Sequence, residues 1–160
     1  MKVSIVMGSI SDRKIADRTI DILNIFGVEY ELKVISAHRT PYTAIEFAEK
    51  AEENGTEVII AIAGKAAHLA GIIAGITPIP VIGIPAKSST MDGLDSLLSV
   101  VQMPKGVPVA TVAIDGGENA GLLAVQILSV KYKELRDKFK EYKLKLANDV
   151  KLMNEDLKSI

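Results

Sequence analysis

The sequence contains no cysteine and no tryptophan, and aromatic residues make up only 4% of its 160 residues. Without cysteine, the chain can form neither a disulfide framework nor a thiolate metal site. With so few aromatic side chains, the core has to be built from Ile, Val, Leu and Ala, which a hydrophobic content of 48% supplies. A chain of this length can bury a sizeable core, and we expect one domain.

Long apolar runs and strong net charge are also missing. No run approaches the roughly 18 apolar residues of a membrane span, and the opening stretch MKVSIVMGS is too short for a signal peptide. A net charge of −1 argues against a nucleic-acid binder, because such proteins hold phosphates with excess Lys and Arg. No metal-ligand pattern such as H-E-x-x-H occurs. We expect a cytoplasmic protein with a small-molecule partner and no nucleic acid, membrane or metal.

Short β-branched runs alternate with helical patterns along the chain. Strands are predicted over 2–7, 28–35, 57–63, 80–85 and 107–114. Strands that are apolar almost throughout, separated by helices, indicate a parallel sheet covered on both faces. We therefore predict, for residues 1–130, a three-layer α/β/α domain with a doubly wound, flavodoxin-like parallel sheet.

Residues 131–160 are predicted to extend this domain as a long C-terminal helix. An apolar stripe runs along it with an average spacing of 22/6, or about 3.67 residues, closer to a straight helix than to a left-handed coiled coil. The stripe consists of Leu135, Phe139, Tyr142, Leu146, Val150, Met153 and Leu157. It could pack along its own domain or lie across another subunit, and we favour the intersubunit interpretation.

Polar residues gather in the loops that follow the first four predicted strands. These loops read GSISD, SAHRTP, GKAAH and AKSSTMDG, and they contain both histidines of the chain. Parallel sheets bind ligands at the carboxyl ends of their strands, near the point where the strand order reverses. The sequence therefore predicts a ligand site at this edge.

The first loop leads into a helix N-terminus, where free N–H groups and the helix dipole favour an anion. Ser9 adds a hydroxyl there. Asp12 has two interpretations, a cap of the helix or an acceptor for sugar hydroxyls. An ordinary capped turn is the alternative to a binding role for the whole loop.

The second loop places an imidazole beside a guanidinium. Histidine is the residue type that most often transfers protons in enzymes, so His38 suits that role, although a capping or packing histidine is the alternative. Arg39 can hold phosphate or carboxylate in a bidentate fashion. Thr40 and Pro41 should begin the next helix as its N-cap and first residue.

The third and fourth loops are less specific. Gly64 and Ala66 would let a ligand approach the backbone closely. His68 is interpreted as a substrate contact or an orienting group, with a purely structural histidine as the alternative. The loop 88–93 could be a moving lid or a passive connection.

In combination, these segments resemble the PurE family of purine biosynthesis. The resemblance is carried by MGSISD, SAHRTP, GKAAHLAG, DSLLSVVQMP and NAGLLAVQIL, and it is colinear over about residues 3–130. It implies a mutase that converts 5-(carboxyamino)imidazole ribonucleotide to the ring-carboxylated ribonucleotide without cofactor or metal, in a homo-octamer. A related class, the aminoimidazole ribonucleotide carboxylases, shows Lys-Gly where this chain has Arg39 and Thr40. That class, and a non-catalytic nucleotide-binding module, are the alternatives.

The resemblance also implies roles for individual residues. Ser9 and Asp12 would bind the ribonucleotide, Arg39 its phosphate, and His38 would be the general acid and base. The pocket would be formed by Gly64, Ala66 and His68.

The third loop departs from the family pattern AGAGGAAHLPG at three positions. Ile62 and Lys65 replace glycines, and Ala70 replaces proline. Lys65 has two interpretations, holding the migrating carboxylate or pointing to solvent.

Overall fold

The structure, a computed structural model, describes residues 1–89 and 91–158. Five strands form one sheet in the order β2-β1-β3-β4-β5, and every pair is parallel. The strands β1 to β5 are Lys2–Met7, Glu29–Val34, Val58–Gly64, Val81–Ala86 and Ala110–Thr111. This is the doubly wound order of the flavodoxin-like fold, so the predicted fold class is confirmed.

Helices connect the strands and cover both faces of the sheet. The helices α1 to α6 of the described residues are Arg13–Phe26, Pro41–Lys50, Leu69–Ala74, Leu94–Val101, Gly117–Leu128 and Lys133–Lys158. Alternate residues of β3 point to opposite layers: Ile60 packs with α1, α5 and α6, whereas Ile59 packs with α2, α3 and α4. None of the described helices is both long and apolar enough for a membrane span.

The last strand is much shorter than the predicted 107–114. Only Ala110 and Thr111 pair with β4. Pro108 has no N–H to donate to a strand ladder. In addition, β5 lies at the edge of the sheet, and no described strand pairs with its outer side. Beyond Thr111, the chain still makes isolated hydrogen bonds to β4, such as the one from Val112 N to Gly83 O at 3.2 Å.

The long helix α6 changes its environment along its length. Its first turns join the core, where Leu135 is fully buried and the ring of Phe139 stacks 5.7 Å from Phe26. Farther along, the exposed fractions of Leu146 and Met153 are 44% and 61%. The helix therefore packs on its own domain as far as Tyr142 and presents an apolar stripe beyond it.

Candidate active site

A cavity of about 700 Å³ opens at the carboxyl edge of the sheet. Residues following β1, β2, β3 and β4 line it, as the strand-end rule predicts. Six of the seven predicted site residues are in this lining: Ser9, Asp12, His38, Arg39, Gly64 and Ala66. The seventh, His68, is not part of the lining but bonds to a residue that is.

The loop after β1 is a short 3-10 turn, Ile10–Asp12, capped by Ser9, whose Oγ accepts from the backbone N–H of Ser11 at 3.4 Å. Asp12 occupies the N-cap position of α1, as predicted, but its carboxylate makes no capping hydrogen bond to that helix. Instead it accepts from Ser11 Oγ at 3.2 Å. Burial raises the pKa of Asp12, and the carboxylate of Asp115 acts in the same direction, while the bonds from Ser11 and Ser9 oppose them. A ligand hydroxyl would give this carboxylate a further donor.

The loop after β2 is closed by hydrogen bonds between Ser36 and Thr40. Thr40 Oγ1 donates to Ser36 O at 2.9 Å and accepts from Ser36 N at 3.2 Å, while Thr40 N donates to Ser36 O at 2.7 Å. Thr40 precedes Pro41 at the start of α2, as predicted, but its hydroxyl does not cap that helix. The hydroxyl fixes the loop that carries His38 and Arg39.

The guanidinium of Arg39 reaches across to the end of β1. Its Nη2 donates to Gly8 O at 3.0 Å and its Nε to Ser36 Oγ at 3.1 Å. These bonds engage two of the five N–H groups that a guanidinium carries. The remaining donors are available to an anion in the cavity.

His38 and His68 form a direct pair. Nε2 of His38 lies 3.1 Å from Nδ1 of His68, with ring centroids 5.2 Å apart and rings inclined at 84°. The contact follows from the strand order, because β2 and β3 both flank β1 and their terminal loops converge over its end. Both histidines are exposed, and His38 is the one that lines the cavity.

The loop after β3 combines a close backbone approach with an unusual conformation. A Cβ on Gly64 would lie 3.3 Å from Ala86 O, so a side chain there would crowd β4. Lys65 follows with φ of 57°, in the left-handed region that non-glycine residues rarely adopt. Ile62 and Ala70, the other departures from the family pattern, are buried in the core. Lys65 is thus the departure that lines the cavity.

The loop after β4 supplies cavity residues that the sequence did not single out: Lys87, Ser88 and Ser89. Lys87 N donates to Asp115 Oδ1 at 2.8 Å, and its Nζ lies 2.8 Å from Asp92 Oδ1. Their loop was predicted to lie at the ligand edge of the sheet, but nothing in the residue pattern distinguished these three side chains from the rest of the loop. The lid hypothesis for 88–93 stays a prediction, and Thr90, within that loop, lies outside the described residues. No group of three or more His, Asp or Glu in the described part of the chain is arranged to hold a metal.

Comparison with known proteins covers nearly the whole chain. The family model described as AIR carboxylase matches residues 2–149. The N5-carboxyaminoimidazole ribonucleotide mutases of Saccharolobus solfataricus and Thermotoga maritima are 55% and 56% identical to this chain over 93% of its length, covering 94% and 87% of theirs. The crystal structure of Treponema denticola PurE matches with a TM-score of 0.86 and 33% identity, over 93% of both chains.

Proposed function

The chain belongs to the AIR carboxylase family, and we propose that it acts there as an N5-carboxyaminoimidazole ribonucleotide mutase, an isomerase of purine biosynthesis. The observation that carries this function is the 55% and 56% identity to mutases over 93% of the chain. The reaction moves a carboxylate from the exocyclic nitrogen of the ribonucleotide to a ring carbon. The product is 5-amino-1-(5-phosphoribosyl)imidazole-4-carboxylate.

The phosphoribosyl part of the substrate is assigned to the end of the cavity nearest β1. The free N–H groups of Arg39 suit the phosphate, because its guanidinium is already oriented by Gly8 O and Ser36 Oγ. The hydroxyl of Ser9 and the carboxylate of Asp12 line the same end of the cavity. They would accept hydrogen bonds from the ribose hydroxyls.

Proton transfer is assigned to His38. As the bond from the exocyclic nitrogen to the carboxylate breaks, its electron pair stays on nitrogen and His38 supplies a proton there, which releases carbon dioxide. The ring carbon then attacks the carbon dioxide, and His38 removes the ring-carbon proton. One imidazole can serve as acid and then as base because a ring nitrogen that has given up its proton can take one back. Because the carbon dioxide stays in the cavity beside the ring, the second step does not depend on the carbon dioxide concentration in solution.

The loop after β3 is assigned to the imidazole end of the substrate. Gly64 and Ala66 provide a wall without bulky side chains. His68 holds the ring of His38 through the 3.1 Å hydrogen bond. Its primary role is therefore orientation of the acid–base group.

A direct assay separates this function from its alternatives. The purified chain is given the unstable carboxyamino ribonucleotide, and separately aminoimidazole ribonucleotide with bicarbonate. We expect rapid turnover of the first; turnover of the second alone would make the chain a carboxylase, the activity that the family description names. A protein that binds the ribonucleotides but converts neither would be a non-catalytic binding module. In the mutase case, His38→Asn should bind substrate and convert none.

The assembly is proposed to be a homo-oligomer, an octamer by resemblance to the family. The apolar stripe on the second half of α6 supports an intersubunit contact, since Val150 and Leu157 are 55% and 69% exposed in the single chain. The domain of 1–130 would carry the reaction and the extension 131–160 the contact. We also place the protein in the cytoplasm, because its relatives are named for a biosynthetic step.

A further inference from the structure

The cavity lining contains three cationic side chains, and two of them have partners. The guanidinium of Arg39 donates to the carbonyl of Gly8, and Nζ of Lys87 lies 2.8 Å from Asp92. Lys65 is the third. Within residues 1–89 and 91–158, its ammonium makes no ion pair and no hydrogen bond. It is a charge on the cavity wall that no described residue neutralises.

The backbone holds Lys65 in a fixed turn. Its φ of 57° is disfavoured for any residue with a Cβ. Its carbonyl accepts from Ala67 N at 2.9 Å and from Ser99 Oγ of α4 at 3.5 Å. The side chain therefore starts from a point anchored between β3 and α4, beside the cavity. Such local strain is retained where the surrounding structure enforces it, and it concentrates at functional sites.

Lys65 belongs to the loop after β3, the same loop that carries His68. It lies three residues before His68, whose Nδ1 is bonded to His38. The guanidinium of Arg39 is instead held at Gly8, at the end of β1. The two cations that keep unused hydrogen-bond donors, the guanidinium of Arg39 and Lys65, therefore lie at the ends of different strands, β1 and β3.

We propose that Lys65 binds the carboxylate that the reaction moves, on substrate and product alike. This inference rests on the proposed function, whose substrate carries two anionic groups, a phosphate and the migrating carboxylate. Arg39 is matched to the first and Lys65 to the second. Lys65 is then a specificity residue, which distinguishes carboxylated ribonucleotides from aminoimidazole ribonucleotide, where the carboxylate is missing.

Binding of two ribonucleotides tests this role without turnover. Calorimetry gives the Kd of the product, 5-amino-1-(5-phosphoribosyl)imidazole-4-carboxylate, and of aminoimidazole ribonucleotide. The variant is Lys65→Asn, since asparagine tolerates the left-handed conformation and carries no charge. Lys65→Arg keeps the charge, and Lys105→Asn removes an exposed cation outside the cavity lining.

We expect Lys65→Asn to weaken product binding by about 10- to 100-fold, the range of a charge-assisted hydrogen bond. Aminoimidazole ribonucleotide should bind that variant as it binds the wild type. Lys65→Arg should retain most of the product affinity, and Lys105→Asn all of it. Equal weakening of both ligands, or no weakening of either, would overturn the role of Lys65 while leaving the mutase function intact. A wild-type protein that binds neither ligand would overturn the proposed function, and this inference with it.

Discussion

Nε2 of His38 lies 3.1 Å from Nδ1 of His68, and the two rings meet nearly at right angles, at 84°. In a hydrogen bond between two imidazole nitrogens, one nitrogen carries the proton and the other offers a lone pair. The tautomer of His38 is therefore tied to that of His68. Because Nε2 of His38 faces His68, Nδ1 of His38 is the nitrogen left to give a proton to the substrate and to take one back in the proposed two-step mechanism.

Replacing His68 tests this coupling. His68→Leu removes the partner of Nε2, and we expect kcat to fall by about 10- to 100-fold, part of the roughly 10² to 10⁴ that general acid–base catalysis contributes. KM should stay close to the wild-type value. His68→Asn is the matched control, since its amide places a polar atom near the position of Nδ1 and should recover much of the loss. A rise in KM at unchanged kcat would instead make His68 a substrate contact.

Arg39→Ala should act mainly on binding. Loss of a charge-assisted contact to phosphate predicts a KM about 10- to 100-fold higher, with a smaller change in kcat. Arg39→Lys keeps the charge but lacks the planar guanidinium fork that contacts Gly8 O and Ser36 Oγ, so an intermediate KM is expected. The inhibition constant of inorganic phosphate as a competitive inhibitor is a second measurement, and it should rise in parallel with KM. An unchanged KM with a large fall in kcat would place Arg39 in the chemistry instead.

Much of this architecture could be predicted from the residue pattern. Continuous apolar strands determine a buried parallel sheet, and strand-end loops determine where its cavity lies. The extent of β5 could not be read in the same way. Its apolar run continues through 107–114, but only Ala110 and Thr111 pair with β4. Apolar character reports burial, whereas a ladder also depends on edge position and on the missing N–H of Pro108.

Contacts between loops were beyond the reach of the sequence. The motifs place His38 and His68 at the same edge, but the 3.1 Å bond between them depends on β2 and β3 flanking β1. The positive φ of Lys65 could not be predicted from the sequence either, because lysine rarely adopts that conformation. The stripe on α6 was recognised by its period, yet periodicity does not say what covers each turn. Leu135 is buried by its own domain, whereas Leu157 is exposed.

Because the first turns of α6 belong to the core and the later turns are exposed, the assembly has to be tested on the later turns alone. Removal of everything after Lys131 would strip Leu135 and Phe139 from the core and damage the fold. Val150→Asp together with Met153→Asp leaves the core contacts in place and charges the exposed stripe. We expect a lower mass by light scattering, because burying unpaired carboxylates in an apolar contact is costly.

Lys151→Asp is the control for added negative charge on the same part of the helix. It lies outside the stripe, so the mass should stay at the wild-type value. An unchanged mass in the double variant would refute the intersubunit role of the extension 131–160.

At Asp12, substrate binding and the stability of the fold should oppose each other. Burial raises the pKa of this carboxyl above its ordinary value of 3.8, with Asp115 adding to the effect. The folded state then holds the proton more tightly than the unfolded state. The stabilisation that this provides is complete below the unfolded-state pKa and is lost as pH rises through the folded-state pKa.

Asp12→Asn never ionises, so it should be more stable than wild type at pH 7, with a difference that shrinks toward about pH 3.5. Urea unfolding of both proteins at the two pH values measures this. The same variant loses a charged acceptor for ribose hydroxyls, and we expect its KM to rise about tenfold. An Asn variant less stable than wild type at pH 7 would contradict the direction of the shift. A gain in stability at the expense of binding would mean that the ligand, rather than the fold, accounts for a carboxylate at position 12.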